Sequence, residues 1–547
     1  MPTFEIDGKK ITVEQGKTVL EAARDNGIEI PYFCFHESFK SGGLCRMCLV
    51  EIEKMPKLQT ACTTVATEGM VVKTTTDRVR QARSAILEFI LTNHPLDCPD
   101  CDQAGECVLQ EYAHRYGPDR SAFTEPKQLR EHIALSELIA YDPERCIMCE
   151  RCVRYYRDIV GSEELAVMYR GAHAEITTFP GKLLTYGYVG NIADLCPVGA
   201  LTTSDFRFKE RVFNLRATET VCPLCEAGCL IYADAKLYTV YRVRSRNPMV
   251  RSIHAHENRN VTSFYPKPYI DAISRSSYIC DDGRLGYKKL LNDNHRAIPA
   301  GPDNRLASGN NDWSSIIAFV AQKIKQSGAK TAGIISPFAT NEEAYAFMYM
   351  IKHAAGGSAI GMLRFPEAKE YVSAGKLRLR RGMQAPNANG IGQIAKAFDI
   401  RLLSHDEVIG SGPAFLYILG PSFDQMDPLV DRLGAIPCVV AQDFRPSRLT
   451  ERAHIVMPGM SYAQKDGTYT NGEGRVQRLR KVVRTEGEAR DDLSILSDII
   501  AGITGKRIGG FDQVLGTLMK EVPSFASIDF DGLTGDVGLR KAAGRLW

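Results

Sequence analysis

No apolar run in the sequence approaches the roughly 20 residues that a membrane-spanning helix needs, and stretches such as Phe415 to Leu419 stop far short of it. Any membrane association is therefore expected to come through partners. The first thirty residues lack a basic leader followed by an apolar stretch, so no export signal is expected there. Net charge is small, formally +3, too little to point to nucleic acid or to an anionic membrane surface. Cysteine is nearly absent from the second half. After Cys280 only Cys438 remains, in the apolar stretch Pro437-Cys-Val-Val-Ala441, where a buried inert thiol is the ordinary expectation. The other fifteen of sixteen cysteines lie before residue 281 in tight groups. Without an export signal, that density argues for metal binding in a reducing compartment rather than for disulfides.

The densest group is His94-Pro-Leu-Asp-Cys98-Pro-Asp-Cys101-Asp-Gln-Ala-Gly-Glu-Cys107, with four metal donors in fourteen residues. Four such donors could hold zinc. A structural zinc site usually shows two separated pairs, whereas here the donors run together between two further cysteine arrays, which favours a cubane [4Fe-4S] cluster with one imidazole ligand. The bland alternative is that His94 only ends the preceding helix beside a three-cysteine site. Upstream, Cys34, Cys45, Cys48 and Cys62 follow a C-x10-C-x2-C-x13-C spacing with Gly42-Gly43 inside it. This resembles the plant-type [2Fe-2S] pattern with a longer first gap. Downstream, Cys146-x2-Cys149-x2-Cys152 with Cys196-Pro197 resembles one half of a two-cluster ferredoxin. Where the second cluster's cysteines would stand the sequence has Tyr156, Tyr186, Val189 and Ile192, so one cluster of an ancestral pair is absent and a single [4Fe-4S] site is expected. Last come Cys222-x2-Cys225-x3-Cys229 and, fifty residues on, Cys280. Oxidised clusters with their thiolates would take the chain from +3 to about −4, so basic residues are expected near them as counter-charge.

At about 100 to 200 residues per domain, 547 residues imply three to five domains, and a 44% apolar content is ample for their cores. Residues 3 to 13 alternate around Asp7-Gly8, a hairpin signal, and Thr18 to Asn26 reads as a helix stopped by Gly27. Asp77 to Thr92 carries Val79, Ala82, Ile86, Phe89 and Ile90 at the spacing of a helix with one buried face. Arg242, Arg244, Arg246, Arg251, His254 and His256 fall in the gap before Cys280 and are expected on a solvated face. Residues 292–312 read as a linker. Beyond them helices at Ser314 to Ser327 and Glu342 to His353 alternate with strands at Thr331 to Ile335, Phe415 to Leu419 and Pro437 to Ala441, which predicts a three-layer α/β domain on a mainly parallel sheet. Gly390-x-Gly392-x-x-Ala395 lacks the preceding strand of a dinucleotide fingerprint and is expected to be loop and helix.

Taken with these spacings, the His94 to Cys107 run resembles the signature of the large iron-sulfur subunit (the G subunit) of respiratory complex I, NADH:quinone oxidoreductase. The long gap after Cys34 matches that family's version, which implies a [2Fe-2S] cluster on Cys34, Cys45, Cys48 and Cys62. The resemblance likewise implies [4Fe-4S] clusters on His94, Cys98, Cys101 and Cys107, and on Cys146, Cys149, Cys152 and Cys196. A fourth, on Cys222, Cys225, Cys229 and Cys280, resembles the cluster domain of molybdopterin oxidoreductases with a longer gap. Gly467-Thr-Tyr-Thr-Asn471-Gly-Glu473-Gly-Arg475-Val-Gln477 resembles a motif shared with formate dehydrogenases, near the cofactor in pterin enzymes and structural otherwise. The implied fold is multidomain α+β and α/β: a β-grasp [2Fe-2S] ferredoxin (1–78), a histidine/three-cysteine [4Fe-4S] domain (79–120), a ferredoxin-like [4Fe-4S] domain (121–214), a molybdopterin-oxidoreductase-type [4Fe-4S] domain (215–290) and a shortened, cofactor-free molybdopterin-oxidoreductase-like α/β domain (291–547). The implied function is electron relay from NADH and flavin on a partner subunit toward quinone, coupled to proton translocation by membrane subunits. Partners would be the flavin/NADH-binding subunit and other peripheral-arm subunits, with the membrane arm reached indirectly, at the cytoplasmic side of a bacterial inner membrane. No complete NADH or quinone site is expected in the chain. The rivals are a formate dehydrogenase-type subunit, which would need a molybdenum-ligating cysteine that the second half lacks, a hydrogenase-associated subunit, and a scaffold whose clusters only staple the fold.

Overall fold

Asp7 and Gly8 both take left-handed backbone (φ 48° and 82°), which suits an Asp-Gly hairpin turn, and fold β1 (Thr3–Ile6) against β2 (Lys9–Thr12). The computed structural model describes residues 1–128, 130–245, 278–291, 313–365, 371, 385–420, 430–485, 487, 489–526, 528 and 540–541. The chain divides into two units, one of Met1–Leu215 with Arg244–Asp281 and Tyr371–Leu379, the other of Arg216–Val243 with Asp282–Glu370 and Arg380–Trp547.

In the first unit, α1 (Val19–Asp25) starts at a capping box in which the Glu21 N–H donates to Thr18 Oγ1 and the Thr18 N–H donates to Glu21 Oε2. β3 (Leu49–Ile52), β4 (Gln59–Thr60) and β5 (Val71–Lys73) complete a sheet of order β2-β1-β5-β3-β4, parallel between β1 and β5 and antiparallel elsewhere. Alternation along the strands sends Phe4, Ile6, Val50, Ile52 and Val72 into one core with Val19, Leu20 and Ala23 of the helix. Next, α2 (Asp77–Asn93) is capped by Thr76, whose Oγ1 accepts from the Val79 N–H. Val79 is buried and Ile86 and Ile90 pack against the core, as the spacing predicts, with Arg83 and Leu87 buried beside them; Phe89 departs, at 67% exposed. Arg83 turns inward between them and donates to the Leu49 carbonyl at 3.2 Å. Behind α2 lies α3 (Val108–Tyr116).

β6 (Ile133–Ala134) and β7 (Ile139–Tyr141) follow, then α4 (Arg151–Arg154) running into a π-helical turn at Tyr155–Val160, the hairpin of β8 (Leu165–Met168) and β9 (Glu175–Thr178), and α5 (Asn191–Leu195). β10 (Leu201–Thr203) closes an antiparallel sheet of order β10-β7-β6. Tyr156, Val189 and Ile192 are at most 1% exposed, so core side chains fill three of the places where a second cluster's cysteines would stand.

The second unit begins with β11 (Arg216–Val221) paired to β12 (Leu230–Lys236), with β13 (Thr239–Ser245) third in that sheet. Two short helices, α6 (Asp281–Leu285) and α7 (Tyr287–Leu290), precede α8 (Trp313–Ser327). Then come β14 (Thr331–Ile335), α9 (Asn341–Tyr349), β15 (Ile360–Met362), α10 (Ala388–Ala397), α11 (His405–Gly410), β16 (Phe415–Leu419), β17 (Val439–Asp443), α12 (Arg448–Arg452) and β18 (Ile455–Pro458). The sheet is wholly parallel in the order β15-β14-β16-β17-β18. Along β14 and β16, Ile335, Phe415, Tyr417 and Leu419 pack on one side and Ala332, Ile334, Leu416 and Ile418 on the other, the pattern of a sheet covered on both faces. β17 starts two residues later than predicted, because Pro437 cannot donate into the ladder. Cys438 therefore stands just before the strand, half-buried, with burial pushing its thiol pKa up. The stretch 467–477 forms a hairpin of β19 (Gly467–Thr470) and β20 (Arg475–Leu479), joined by β21 (Arg540–Lys541), with α13 (Asp492–Thr504) and α14 (Phe511–Glu521) between them. Gly390 lies inside α10, where a side chain would collide with the Asn341 and Asn387 amides; it serves close packing. The expected linker 292–312, and Arg246, Arg251, His254 and His256, lie outside the described residues.

Candidate metal centres

Cys34, Cys45, Cys48 and Cys62 come together in the first unit. Their sulfurs form a chain of hydrogen bonds in which Cys45 donates to Cys34 and Cys62 to both Cys34 and Cys48. Cys34 receives the donation and its pKa falls to about 2, while Cys62, which donates, is pushed up. Backbone N–H groups of Phe33 and Cys34 also point at the Cys45 sulfur, at 3.4 and 3.5 Å. Arg46, between Cys45 and Cys48, has φ +58°, a conformation rare outside glycine. The same device recurs at Met148 (φ +50°) and Glu150 (φ +56°), either side of Cys149. Such turns aim main-chain N–H groups inward, toward negative charge.

Cys98, Cys101 and Cys107 lie within electrostatic reach of one another, and burial raises the Cys107 pKa to about 12. His94 and Cys101 share Asp97 and Arg145 as charged neighbours. Burial lowers the His94 pKa to about 4, partly opposed by Asp97, so the imidazole is neutral at physiological pH and has a lone pair for a metal. Arg145 pairs with both Asp97 and Asp142, and the Val108 N–H donates to the Pro197 carbonyl at 3.0 Å, which ties this loop to the Cys196 segment.

Cys146, Cys149, Cys152 and Cys196 interact mutually, and all four are raised by burial, Cys146 to about 11. A recurring backbone pattern opposes that rise. The N–H two residues on donates to the sulfur at Cys101 (Gln103), Cys146 (Met148), Cys149 (Arg151), Cys196 (Val198) and Cys222 (Leu224). Donated N–H groups of this kind support a thiolate, and they tune a cluster once iron has displaced the protons. The Tyr141 hydroxyl faces the Cys146 sulfur as well.

In the second unit Cys222, Cys225 and Cys229 share one buried loop. The 467–477 hairpin holds that loop. Gly472 N donates to the Glu226 carbonyl at 2.9 Å, Asn471 Nδ2 to the Ala227 carbonyl at 3.4 Å and Gln477 Nε2 to the Gly228 carbonyl at 2.8 Å. Gly228 has φ +60° and presses on Gln477 and Asn471, so no larger residue fits. Cys280 belongs to the first unit, buried, between Ile279, which exchanges hydrogen bonds with the Asn191 amide, and Asp281. Among the described residues no three His, Cys, Asp or Glu side chains converge on a single metal ion.

Two buried cations test whether the thiol groups fit charged clusters. Arg83 and Arg154 are 4% and 3% exposed, and among the described residues neither pairs with a carboxylate. A buried guanidinium without an anion costs several kcal/mol. Cys48, with Asp7, is a charged neighbour of Arg83, and Arg154 lies against the Cys34 and Cys149 carbonyls, so an anionic group held by those cysteines would supply balancing charge. Sequence reasoning foresaw basic counter-charge but named neither residue, because neither stands in a ligand pattern. Arg242, expected to be solvated, instead pairs with Asp234 at 2.6 Å.

Family models match in four places: 2Fe-2S iron-sulfur cluster binding domain over residues 1–77, NADH-ubiquinone oxidoreductase-G iron-sulfur binding region over 83–122, NADH-quinone oxidoreductase subunit 3, ferredoxin-like domain over 136–202, and Molybdopterin oxidoreductase over 355–501. The chain is 42% identical to the NADH-quinone oxidoreductase G subunit of Rickettsia prowazekii (strain Madrid E) over 622 residues, which cover 96% of this chain and 90% of that one. It is 30% identical to the NADH-ubiquinone oxidoreductase 78 kDa subunit, mitochondrial, of Neurospora crassa over 96% of its own length and 84% of the relative's. Among solved structures it resembles a chain of an NAD+-reducing [NiFe]-hydrogenase in the H2-reduced state, with 30% identity, a TM-score of 0.36, and coverage of 39% of this chain and 91% of that one.

Proposed function

Since the chain belongs to the family of NADH-quinone oxidoreductase G subunits, we propose that it relays electrons delivered from NADH by a flavin-bearing partner subunit through four iron-sulfur clusters toward quinone. The proposed ligands are Cys34, Cys45, Cys48 and Cys62 for a [2Fe-2S] cluster, and for three [4Fe-4S] clusters His94, Cys98, Cys101 and Cys107; Cys146, Cys149, Cys152 and Cys196; and Cys222, Cys225, Cys229 and Cys280. Five domains follow, a β-grasp ferredoxin (1–78), two [4Fe-4S] domains (79–120 and 121–214), a molybdopterin-oxidoreductase-type cluster domain (215–290) and a cofactor-free α/β domain (291–547). The reading rests on one observation above the rest, two buried guanidiniums beside grouped thiols that form no ion pair among the described residues.

Clusters of this kind carry one electron at a time, which lets a two-electron donor be matched to stepwise transfer. The protein's part is to hold donors and dipoles still. Backbone N–H groups aimed at the sulfurs, the left-handed residues 46, 148 and 150, and neutral His94 all act this way. A pterin is left out of the proposal because Cys438, just before β17, is the sole cysteine after Cys280 that could ligate its metal, and polar side chains gather at the carboxyl ends of β14, β16 and β17. Glu343, Lys465 and Asp492 line a cavity there of about 10 Å³, room for about one water. The partners proposed are the flavin subunit and other peripheral-arm subunits, with the membrane arm reached through them at the cytoplasmic face. No described helix is long and apolar enough to cross a membrane.

The test is spin resonance on the purified complex, reduced with NADH. Four cluster signals assignable to this chain by loss in Cys48→Ala, Cys101→Ala, Cys149→Ala and Cys225→Ala are expected. If NADH reduces none of them, the clusters are staples and the relay is wrong.

A further inference from the structure

Arg154 joins two cysteines, Cys34 and Cys149, that stand more than a hundred residues apart in the sequence. One Nη2 donates both to the Cys34 carbonyl and, at 3.0 Å, to the Cys149 carbonyl, while Nη1 donates to the Lys40 carbonyl at 3.1 Å. Its Cζ lies 4.9 Å above the Phe39 ring, which in turn stacks on His36 at 4.7 Å. Cys34 is a charged neighbour of Cys149. With the side chain 3% exposed and no carboxylate paired with it among the described residues, its charge is screened neither by water nor by an acid.

We propose that Arg154 is a positioning residue shared by two iron-sulfur centres, holding the main chain of one ligand from each and setting the reduction potentials of both in common. The proposal rests on the ligand sets given above for the Cys34 and Cys149 centres. The physical ground is simple. A fixed positive charge in a low-dielectric interior favours the state with one more electron at every centre close to it. A guanidinium is suited to this because it stays protonated and presents several donors in a rigid plane, so two carbonyls can share it without losing the charge. A carboxylate partner would cancel that field.

The experiment is a potentiometric spin-resonance titration of the assembled complex carrying Arg154→Gln. Loss of the charge should make reduction harder at both centres, each by about tenfold in equilibrium constant, about 59 mV downward for one electron. The signals assigned to the Cys101 and Cys225 centres should stay within a third of that shift. Arg154→Lys, which restores the charge with a compact head, should recover more than half of it. If both signals keep wild-type intensity and only one potential moves, or neither, the proposal is overturned. Should Arg154→Gln lose either signal, Phe39→Leu carries the test, since it leaves both ligand sets in place and removes the ring that holds the guanidinium, so the charge shifts relative to both centres at once. Parallel displacement of both potentials is again expected, and displacement of one alone, or of neither, refutes the shared role. Failure of the ligand assignment is separable, because Cys34→Ala and Cys149→Ala would then leave both signals intact.

Discussion

Gly199, three residues past Cys196, has no room for a methyl group: a Cβ there would press inside van der Waals contact on the Cys101 sulfur and lie 3.2 Å from Gln103 Cβ. Gly199→Ala is therefore expected to displace Cys101 and to weaken or abolish the signal of the His94/Cys101 centre, with the Cys34 centre unaffected; equal intensity of both signals would contradict this packing. His94 admits a complementary substitution. In His94→Cys a thiolate replaces a neutral imidazole, so the cluster should persist in part with an altered spectrum and a lower potential, whereas His94→Ala with unchanged spectrum and potential would remove His94 from the ligand set. At this scale the sequence was legible where chemistry recurs at fixed spacing, as with the cysteine runs. Arg154, Gly199 and Asp281 were not legible, because each acts on a residue distant in the chain and no local pattern marks it.

Among the elements, the parallel strands Thr331–Ile335 and Phe415–Leu419 could be read to the residue, since both are continuous apolar runs buried on two faces. The face of α2 was read only in part: Val79, Ile86 and Ile90 face the core, but Phe89 does not, and Arg83 takes an inward place that apolar spacing does not mark. The 467–477 hairpin was missed for a related reason, its inward side chains being polar and satisfied by other polar groups. Thr468 N and Oγ1 donate to the Glu342 carboxylate at 2.9 and 2.7 Å, and Thr470 N donates to Asn387 Oδ1 at 2.7 Å. Beside it, Lys465 pairs with Glu343 at 2.7 Å and with Asp492 at 3.0 Å, all three buried, and Glu343 also caps α9. Lys465→Met strands two buried carboxylates and is expected to cost about 3–5 kcal/mol in the unfolding of this domain at pH 8. The pH dependence has a definite sign. Burial raises Glu343 to about 7, above its unfolded value near 4.5, so its contribution is full below about pH 4.5 and lost as pH rises through 7. Without Lys465, which lowers it, that pKa rises further. Denaturant unfolding of the intact variant should therefore show a smaller deficit at pH 5.5 than at pH 8, and a deficit that grows on acidification would refute the ion network.

For the whole molecule the open quantity is the number of clusters, since the proposed fourth ligand set includes one cysteine, Cys280, far in sequence from the other three. Cys222, Cys225 and Cys229 can present three thiolates from one loop, and the fifty-residue path to Cys280 is no obstacle. Loop-closure cost grows only logarithmically, so lengthening a loop from thirty to fifty residues adds roughly 0.5 kcal/mol. Cys280 does not dangle at the end of that path. The Asp281 carboxylate, 0% exposed, accepts N–H groups from Gly187, Val189 and Gly190 at 2.7, 3.0 and 2.8 Å, and the Asn191 amide clasps Ile279 from the other side. A buried carboxylate with three N–H donors fixes the main chain beside it, which is what a lone ligand far from its partners in sequence requires. Four sites give about 14 irons per chain and three give about 10. Iron analysis of the purified complex should therefore find about 14 on this subunit, falling toward 10 in Cys280→Ala. Asp281→Ala should lose part of the same four, because it frees Cys280 without removing the thiol. A fully loaded preparation that holds about 10 irons, indifferent to Cys280→Ala, would show that the cysteines of the fourth set survive only as buried thiols.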